Sequence, residues 1–60
     1  MKNLRKIRKE RNLTQQRLAI ETHIEQSLLS KYETGERTPT VENLVILADY
    51  FGTNIDFLLD

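Results

Sequence analysis

Two short helical patterns joined by a very short turn restrict what this chain can fold into more than any other feature does. The first covers Gln15 to Thr22, with Thr14 placed to accept amide hydrogens of the first turn, and the second covers residues 26–34. Only about three residues separate the two helices, and Gly35 is suited to end the second. Helices joined this tightly cross steeply. The sequence therefore predicts an all-α domain with this helix pair at its centre.

The second helix of the pair has a polar face and an anchored face, because each residue turns the helix by about 100°. The polar arc carries Gln26, Ser27, Ser30, Lys31 and Thr34, and the other side carries Leu29, Tyr32 and Glu33. An amide, hydroxyls and an ammonium group of this length can donate to base edges and phosphates in a groove. The face offers no metal-ligand set and no nucleophile–base pair, so the sequence predicts binding and no enzyme activity.

Three further helices are predicted around the pair. Helix 1 runs from about residue 2 to 11 with a narrow apolar stripe at Leu4 and Ile7, helix 4 follows its cap Thr40 and reaches about Phe51, and a short helix 5 follows Asn54. The main wall of the core is predicted on helix 4, with Val41, Leu44, Val45, Leu47, Ala48 and Phe51 on one face. In helix 5 the residues expected to turn inward are Ile55, Leu58 and Leu59.

Four large apolar residues fall outside these inward faces. Ile20 lies on the outer side of helix 2, and three more are predicted to point outward from helices 4 and 5, namely Ile46, Tyr50 and Phe57. We predict that these last three form a contact between two copies of the chain. Scattered surface residues, or packing against a further C-terminal domain, explain the same three residues equally well.

Length and composition exclude several classes of protein. Sixty residues form one small domain, which leaves no room for an enzyme cleft and its scaffold. The chain has no cysteine and a single histidine, so no disulfide, no metal site and no cofactor is expected. No apolar run approaches the length of a membrane span, and charges occupy the place of a signal-peptide core. We expect a soluble, cytoplasmic protein with no small-molecule ligand in this domain.

The net charge of zero hides a strong separation of charge along the chain. Residues 1–20 carry seven Lys and Arg against one Glu, a net charge of +6, whereas residues 21–60 carry two against eight, a net charge of −6. A phosphate feels the field within about one Debye length, roughly 8–10 Å, and not the total charge. The basic part is therefore predicted to attract a nucleic acid. A solvated basic helix without a partner is the alternative.

Taken together, these residues resemble the Cro and phage-repressor (Xre-type) helix-turn-helix DNA-binding domains. The resemblance rests on the run from Leu13 to Ala19, on Gln26-Ser27 and Leu29-Ser30-Lys31-Tyr32-Glu33, on Gly35, and on Pro39 before Leu44, Leu47 and Ala48. It covers nearly the whole chain. It implies a compact five-helix bundle over residues 1–60, a single domain whose helix-turn-helix motif, at about residues 15–34, consists of helices 2 and 3.

The resemblance also implies which residues meet double-stranded DNA. Helix 26–34 is expected to enter the major groove as the recognition helix, with base contacts from Gln26, Ser27, Leu28, Lys31 and Gln15. Contacts to the DNA backbone are expected from Thr14, Gln16, Arg11, Thr34, Arg37 and Thr38. Two of these assignments stay open, because Leu28 can equally plug the edge of the core and Gln15 can sit over the DNA backbone or over an outer base.

Four other residues have structural roles in this comparison. Arg8 and Glu33 are expected to form an ion pair that ties helix 1 to the end of helix 3. His23 stands where the family usually has glycine, so a left-handed turn residue is expected there. Glu25 occupies the position of the usual serine or threonine cap, and its carboxylate is expected to be able to cap helix 3.

The function predicted from the sequence is operator binding by a transcriptional regulator. A repressor that binds a near-palindromic operator as a homodimer is the leading interpretation. The alternative is a protein-interaction or antitoxin-type module that uses the same fold with its partner contact on helices 4 and 5. The end of the chain, just after the last helix, suits either a complete small regulator or the DNA-binding part of a longer protein.

Overall fold

The computed structural model describes residues 1–59 and contains five helices in that range. They are α1 (Lys2–Glu10), α2 (Gln15–Thr22), α3 (Gln26–Thr34), α4 (Val41–Phe51) and α5 (Ile55–Leu59). The first helix packs against α3 and α5, the second against α3 and α4, and α4 also packs against α5. This all-helical bundle confirms the predicted fold class. No helix in the described range has the length and apolar character needed to cross a bilayer.

The ends of the helices are set by local chemistry that the sequence shows directly. The Thr14 hydroxyl accepts the Arg17 backbone N–H at 3.0 Å, and the Thr40 hydroxyl accepts that of Asn43 at 3.1 Å. The Asn54 side chain accepts the Phe57 backbone N–H at 2.8 Å in the same way. Each cap satisfies one amide that a helix start leaves without a partner. Glu25 differs from the prediction, because it makes no side-chain bond at the start of α3.

Four residues with positive φ close the ends of α1 to α4. Asn12 (φ 57°) follows α1 and His23 (φ 59°) follows α2, whereas glycines follow α3 and α4. The left-handed conformation places a Cβ too close to the next carbonyl, and glycine avoids this cost. The expectation that His23 is a turn residue agrees with this geometry.

The core is contributed by all five helices and is centred on large side chains with no exposed surface. Its fully buried members include Leu4, Leu18, Leu29, Leu47 and Leu58. The Tyr32 ring is also buried, and its hydroxyl oxygen accepts from the Asn43 amide nitrogen at 2.8 Å. A buried hydroxyl without a partner would destabilise the fold, so this bond allows a tyrosine in the core.

The predicted inward face of α4 was too broad. Val41 is 75% exposed and Val45 is 43% exposed, while the buried residues of the helix are Leu44, Leu47, Ala48 and Phe51. Neighbouring helices cover only a narrow arc around these four. Val45 lies about 100° from Leu44 on the helix, outside that arc. Leu59 was also predicted to point inward. It is 49% exposed because it lies about 100° from the buried Leu58 on α5.

The predicted outward placement of Ile46, Tyr50 and Phe57 was wrong. All three are half-buried and pack against the core cluster. Ile46 and Tyr50 lie on the flank of α4 that approaches the end of α2. Among the large apolar residues with that prediction, Ile20 is the one that is exposed, at 60%. The end of α2 covers part of Ile46 and Tyr50. The spacing of residues within α4 cannot predict this contact between two helices.

We expect His23→Gly to stabilise the domain. Glycine removes the left-handed strain at φ 59°, and its larger loss of chain entropy on folding offsets only part of that gain. The free energy of unfolding should therefore rise by about 0.5–1 kcal/mol. His23→Ala keeps the Cβ and should not stabilise. Urea unfolding followed by circular dichroism measures both variants, and an equal gain for alanine and glycine would contradict the backbone explanation.

Candidate nucleic-acid interface

The exposed face of α3 is the polar arc that its sequence predicts. Gln26, Ser27, Lys31 and Thr34 are exposed and Ser30 is half-exposed, while Leu29, Tyr32 and Glu33 are buried on the opposite side. The face therefore presents amide, hydroxyl and ammonium groups to the solvent. Leu28 lies at its border, half-buried and packed against the core cluster, so at least part of its surface plugs the core.

Two features attach the exposed polar face of α3 to the rest of the domain. Leu29 inserts into the core with no exposed surface, and the two neighbouring buried residues, Tyr32 and Glu33, make specific polar contacts behind the helix. The first turn of α3 follows directly on the left-handed His23 and the buried Ile24. As a result α3 cannot rotate about its axis without breaking core packing, and its polar arc has a fixed direction.

The loop that follows α3 adds polar groups beside the same helix. Thr34, Glu36, Arg37 and Thr38 are exposed, and the loop is held by the buried Pro39. The Arg37 backbone N–H donates to the Lys31 carbonyl at 3.3 Å, which keeps the loop against the end of the helix. The Lys31 ammonium lies 3.9 Å from the exposed Glu36 carboxylate. An exposed pair at this distance is weak, so Lys31 can exchange Glu36 for another anion.

The start of α2 supplies the third part of the candidate surface. Thr14 and Gln16 are exposed and Gln15 is half-buried. The Thr14 hydroxyl caps the Arg17 amide, which leaves the N–H groups of the first helical residues to point out of the helix end. Gln15 has a contact that the sequence did not indicate, because its amide nitrogen donates to the Glu33 carboxylate at 3.1 Å.

Arg8 and Glu33 form a buried ion pair between α1 and α3. Arg8 Nε donates to Glu33 Oε2 at 2.7 Å and Arg8 Nη2 donates to Glu33 Oε1 at 3.1 Å. The remaining Nη1 donates to the Leu13 carbonyl at 2.7 Å. The pair thus has the bidentate geometry that makes Arg–carboxylate contacts strong, and it also anchors the loop between α1 and α2.

Arg11 makes a contact within the domain that the sequence did not indicate. Its Nη2 donates to the Phe51 carbonyl at 2.7 Å, and its guanidinium lies 5.5 Å from the centre of the Phe51 ring. The carbonyls at the end of α4 lack partners within the helix and carry partial negative charge, which favours a cation there. Arg11 therefore holds the end of α1 to the end of α4. Arg11 and Phe51 are 40 residues apart in the sequence, so no local pattern predicts this contact.

Most of the predicted DNA-contacting residues thus come from three neighbouring segments: the start of α2, the exposed face of α3 and the loop after it. The fold and this surface define a class, a small helical module that exposes one polar helix face. The cations on α1 are separate from the polar arc of α3. Lys2, Arg5, Lys6 and Lys9 are all exposed, and none of them is in an ion pair with any residue between 1 and 59.

Residues 4–58 match a family model described as helix-turn-helix. The chain therefore belongs to the helix-turn-helix family of the Xre and Cro type, as the sequence resemblance predicted. No solved structure matches it significantly.

Several curated relatives are transcriptional regulators. The chain is 47% identical over 51 residues to the cryptic phage CTXphi transcriptional repressor RstR of Vibrio cholerae, covering 85% of this chain and 46% of that protein. It is 36% identical over 56 residues to the HTH-type transcriptional activator BcrR of Enterococcus faecalis, covering 93% and 28%. A third relative, the HTH-type transcriptional regulator AnsR of Bacillus subtilis, is 41% identical over 56 residues, covering 93% and 48%.

The chain spans half or less of the length of these relatives. The family match and the descriptions of the relatives confirm that this is a domain of the DNA-binding regulator class and not an enzyme.

We expect the Arg8–Glu33 pair to show strong coupling in stability. Arg8→Met leaves the buried Glu33 carboxylate without its cation and should lower the free energy of unfolding by about 3–5 kcal/mol. The double variant Arg8→Met with Glu33→Leu removes both charges and should recover most of that loss. Urea unfolding of Arg8→Met, of Glu33→Leu and of the double variant measures the coupling, and a double variant whose loss equals the sum of the two single losses would contradict it.

Proposed function

We propose that residues 1–60 act as one sequence-specific double-stranded DNA-binding domain, with α3 in the major groove. The observation that carries the proposal is the exposed polar arc of α3, whose direction is fixed by the buried Leu29 and Tyr32. Amide and ammonium groups at Gln26 and Lys31 match the donor and acceptor groups of purine edges. Ser27 and Leu28 complete the proposed base contacts on this helix.

Contacts to the DNA backbone are proposed on both sides of the recognition helix. On one side the exposed start of α2 contributes Thr14, Gln16 and its outward N–H groups. On the other side, the loop after α3 contributes Thr34, Arg37 and Thr38. Arg11 is the weakest of the proposed backbone contacts, because its guanidinium already binds the end of α4.

We further propose a homodimer on a near-palindromic operator, because one recognition helix reads too few bases to select a site alone. Two half-sites about one helical turn apart, roughly 34–36 Å, match the two-fold symmetry of such a dimer. Occupying an operator is sufficient to block a promoter, so repression is the proposed outcome, and one of the relatives is described as a repressor. Such a regulator would meet its DNA in the cytoplasm.

The proposed dimer contact lies on α4 and α5 and includes Ile46, Tyr50 and Phe57. These residues are half-buried, so each leaves part of its surface open. Ile46 and Tyr50 line an open groove of about 520 Å³ between α2 and α4, the α2–α4 groove, whose other lining residues are Glu21, Thr22, His23 and Asp49. The exposed Val45 and Leu59 offer a competing surface on the same two helices.

Base reading is tested by selection from a pool of random duplex DNA at two salt concentrations. Wild type should enrich a palindromic consensus, and its log affinity should fall linearly with log salt. Gln26→Ala should lose preference for one base pair in each half-site, an effect of about 1–3 kcal/mol in discrimination.

Lys31→Ala should also alter the consensus, whereas the matched control Lys6→Ala removes an exposed cation on α1 and should weaken binding to all sequences alike. Weak binding without a consensus, unchanged in all three variants, would contradict the proposal. The protein-interaction module would then be the better account.

Sedimentation equilibrium tests the dimer contact. If the proposed contact is correct, Phe57→Glu and Tyr50→Glu should shift the mass to that of a monomer, because a buried unpaired carboxylate disfavours association. The control Val45→Glu should leave the dimer intact. Circular dichroism verifies that each variant stays folded. Dissociation by Val45→Glu alone would move the contact to the exposed flank of α4, and a monomeric wild type on operator DNA would rule out the dimer.

A further inference from the structure

The Glu33 carboxylate accepts three hydrogen bonds from two residues, and this links α3 to the start of α2. The carboxylate is buried, accepts both bonds from Arg8, and accepts a third from Gln15 Nε2 at 3.1 Å through Oε1. An ionised carboxylate can only accept hydrogen bonds. The Gln15 atom that faces Glu33 must therefore be the amide nitrogen, so the chemistry determines which end of the Gln15 amide is turned inward.

The other end of the Gln15 amide remains available. Gln15 is half-buried, it is the first residue of α2, and its carbonyl oxygen has no hydrogen-bond partner among residues 1–59. Its neighbours Thr14 and Gln16 are exposed. The carbonyl oxygen and one N–H are what this side chain can offer to a molecule that approaches the start of α2.

We propose that Glu33 is a positioning residue that makes Gln15 a hydrogen-bond acceptor for a base amino group. The inference rests on the proposed function, and it resolves whether Gln15 meets the DNA backbone or a base. In the major groove adenine N6 and cytosine N4 are donors, whereas a phosphate only accepts. A phosphate could use only the remaining N–H of Gln15 and would leave its carbonyl oxygen without a partner. An amino group on an outer base of the half-site supplies the donor that this oxygen lacks.

The partner of Gln15 is identified with Gln15→Met, which keeps the shape of the side chain and leaves the Arg8–Glu33 pair in place. Selection from a random duplex pool should show that this variant loses one outer preference, for adenine or cytosine, and keeps the rest of the wild-type consensus. A duplex whose base at that position lacks the amino group should bind wild type about fivefold more weakly, as expected for one hydrogen bond. Gln15→Met should bind this modified duplex and the intact duplex with equal affinity.

The phosphate alternative is tested in the same titration. A second duplex carries an uncharged methylphosphonate at the neighbouring backbone position, and its effect should be equal for wild type and Gln15→Met. If only the methylphosphonate effect disappears in the variant, Gln15 binds a phosphate and the inference is wrong. A consensus that Gln15→Met leaves unchanged also overturns it. A wild type without any consensus would instead overturn the proposed function.

The role of Glu33 is tested with Glu33→Gln. The new amide can donate to the Gln15 carbonyl, which frees the Gln15 NH₂ group to turn outward. The outer preference should then change from a base with an amino group to one with a keto oxygen, guanine or thymine, with the Gln26-dependent positions unchanged. A role in stability alone would weaken binding without changing the preferred base.

A second measurement covers the case in which Glu33→Gln does not fold. The wild-type chain, free of DNA, should show slow solvent exchange of one Gln15 side-chain amide proton by nuclear magnetic resonance. The exposed Gln16 is the matched internal control and should exchange fast. Equal exchange rates for Gln15 and Gln16 would show that Glu33 does not hold Gln15, and the inference would fail.

Discussion

The contacts of the Glu33 carboxylate hold together the segments that form the proposed DNA-binding surface. Arg8 comes from α1, Gln15 from the start of α2, and Glu33 from the last turn of α3, while the remaining Arg8 nitrogen holds the Leu13 carbonyl in the connecting loop. A buried ion pair contributes little net stability compared with apolar residues of the same volume. Its hydrogen bonds are directional, however, and here they fix the position of α2 relative to α3. The packing of Leu18 and Leu29 alone restricts that position less, because apolar contacts have no preferred direction.

The short connections between the helices depend on helices that end abruptly. Asn12, His23, Gly35 and Gly52 each take a positive φ directly after or one residue beyond a helix, so the chain reverses without long loops. Short connections allow residues 1–59 to supply five helices and a common core. The turn at His23 is the most demanding, because it separates α2 from α3 and must hold the angle that the Glu33 contacts require. A histidine there is compatible with the fold at a cost in backbone strain.

Local features of the sequence were sufficient to predict the helices and their ends. Thr14, Thr40 and Asn54 act as caps because a short polar side chain before an apolar periodicity satisfies free amides wherever it occurs. The sequence did not show which helix packs against each flank of α4. Spacing within α4 placed Val45 in the core and Tyr50 outside it. No helix covers Val45, whereas α2 covers part of Tyr50. Contacts between distant residues, such as those of Arg11 with Phe51, have no local signature at all.

In the proposed complex, the cations that attract DNA lie on a different helix from the groups that read its bases. Exposed cations lie on α1, while the reading face of α3 carries one cation, Lys31, among neutral amide and hydroxyl groups. Long-range attraction depends only on the local density of charge and tolerates flexible side chains. Discrimination between bases needs short side chains with fixed donors and acceptors. A lysine-rich recognition helix would bind phosphates and would gain affinity for every sequence equally. Under the proposed function, placing most of the cations on another helix leaves the exposed positions of α3 for groups that can distinguish one base from another.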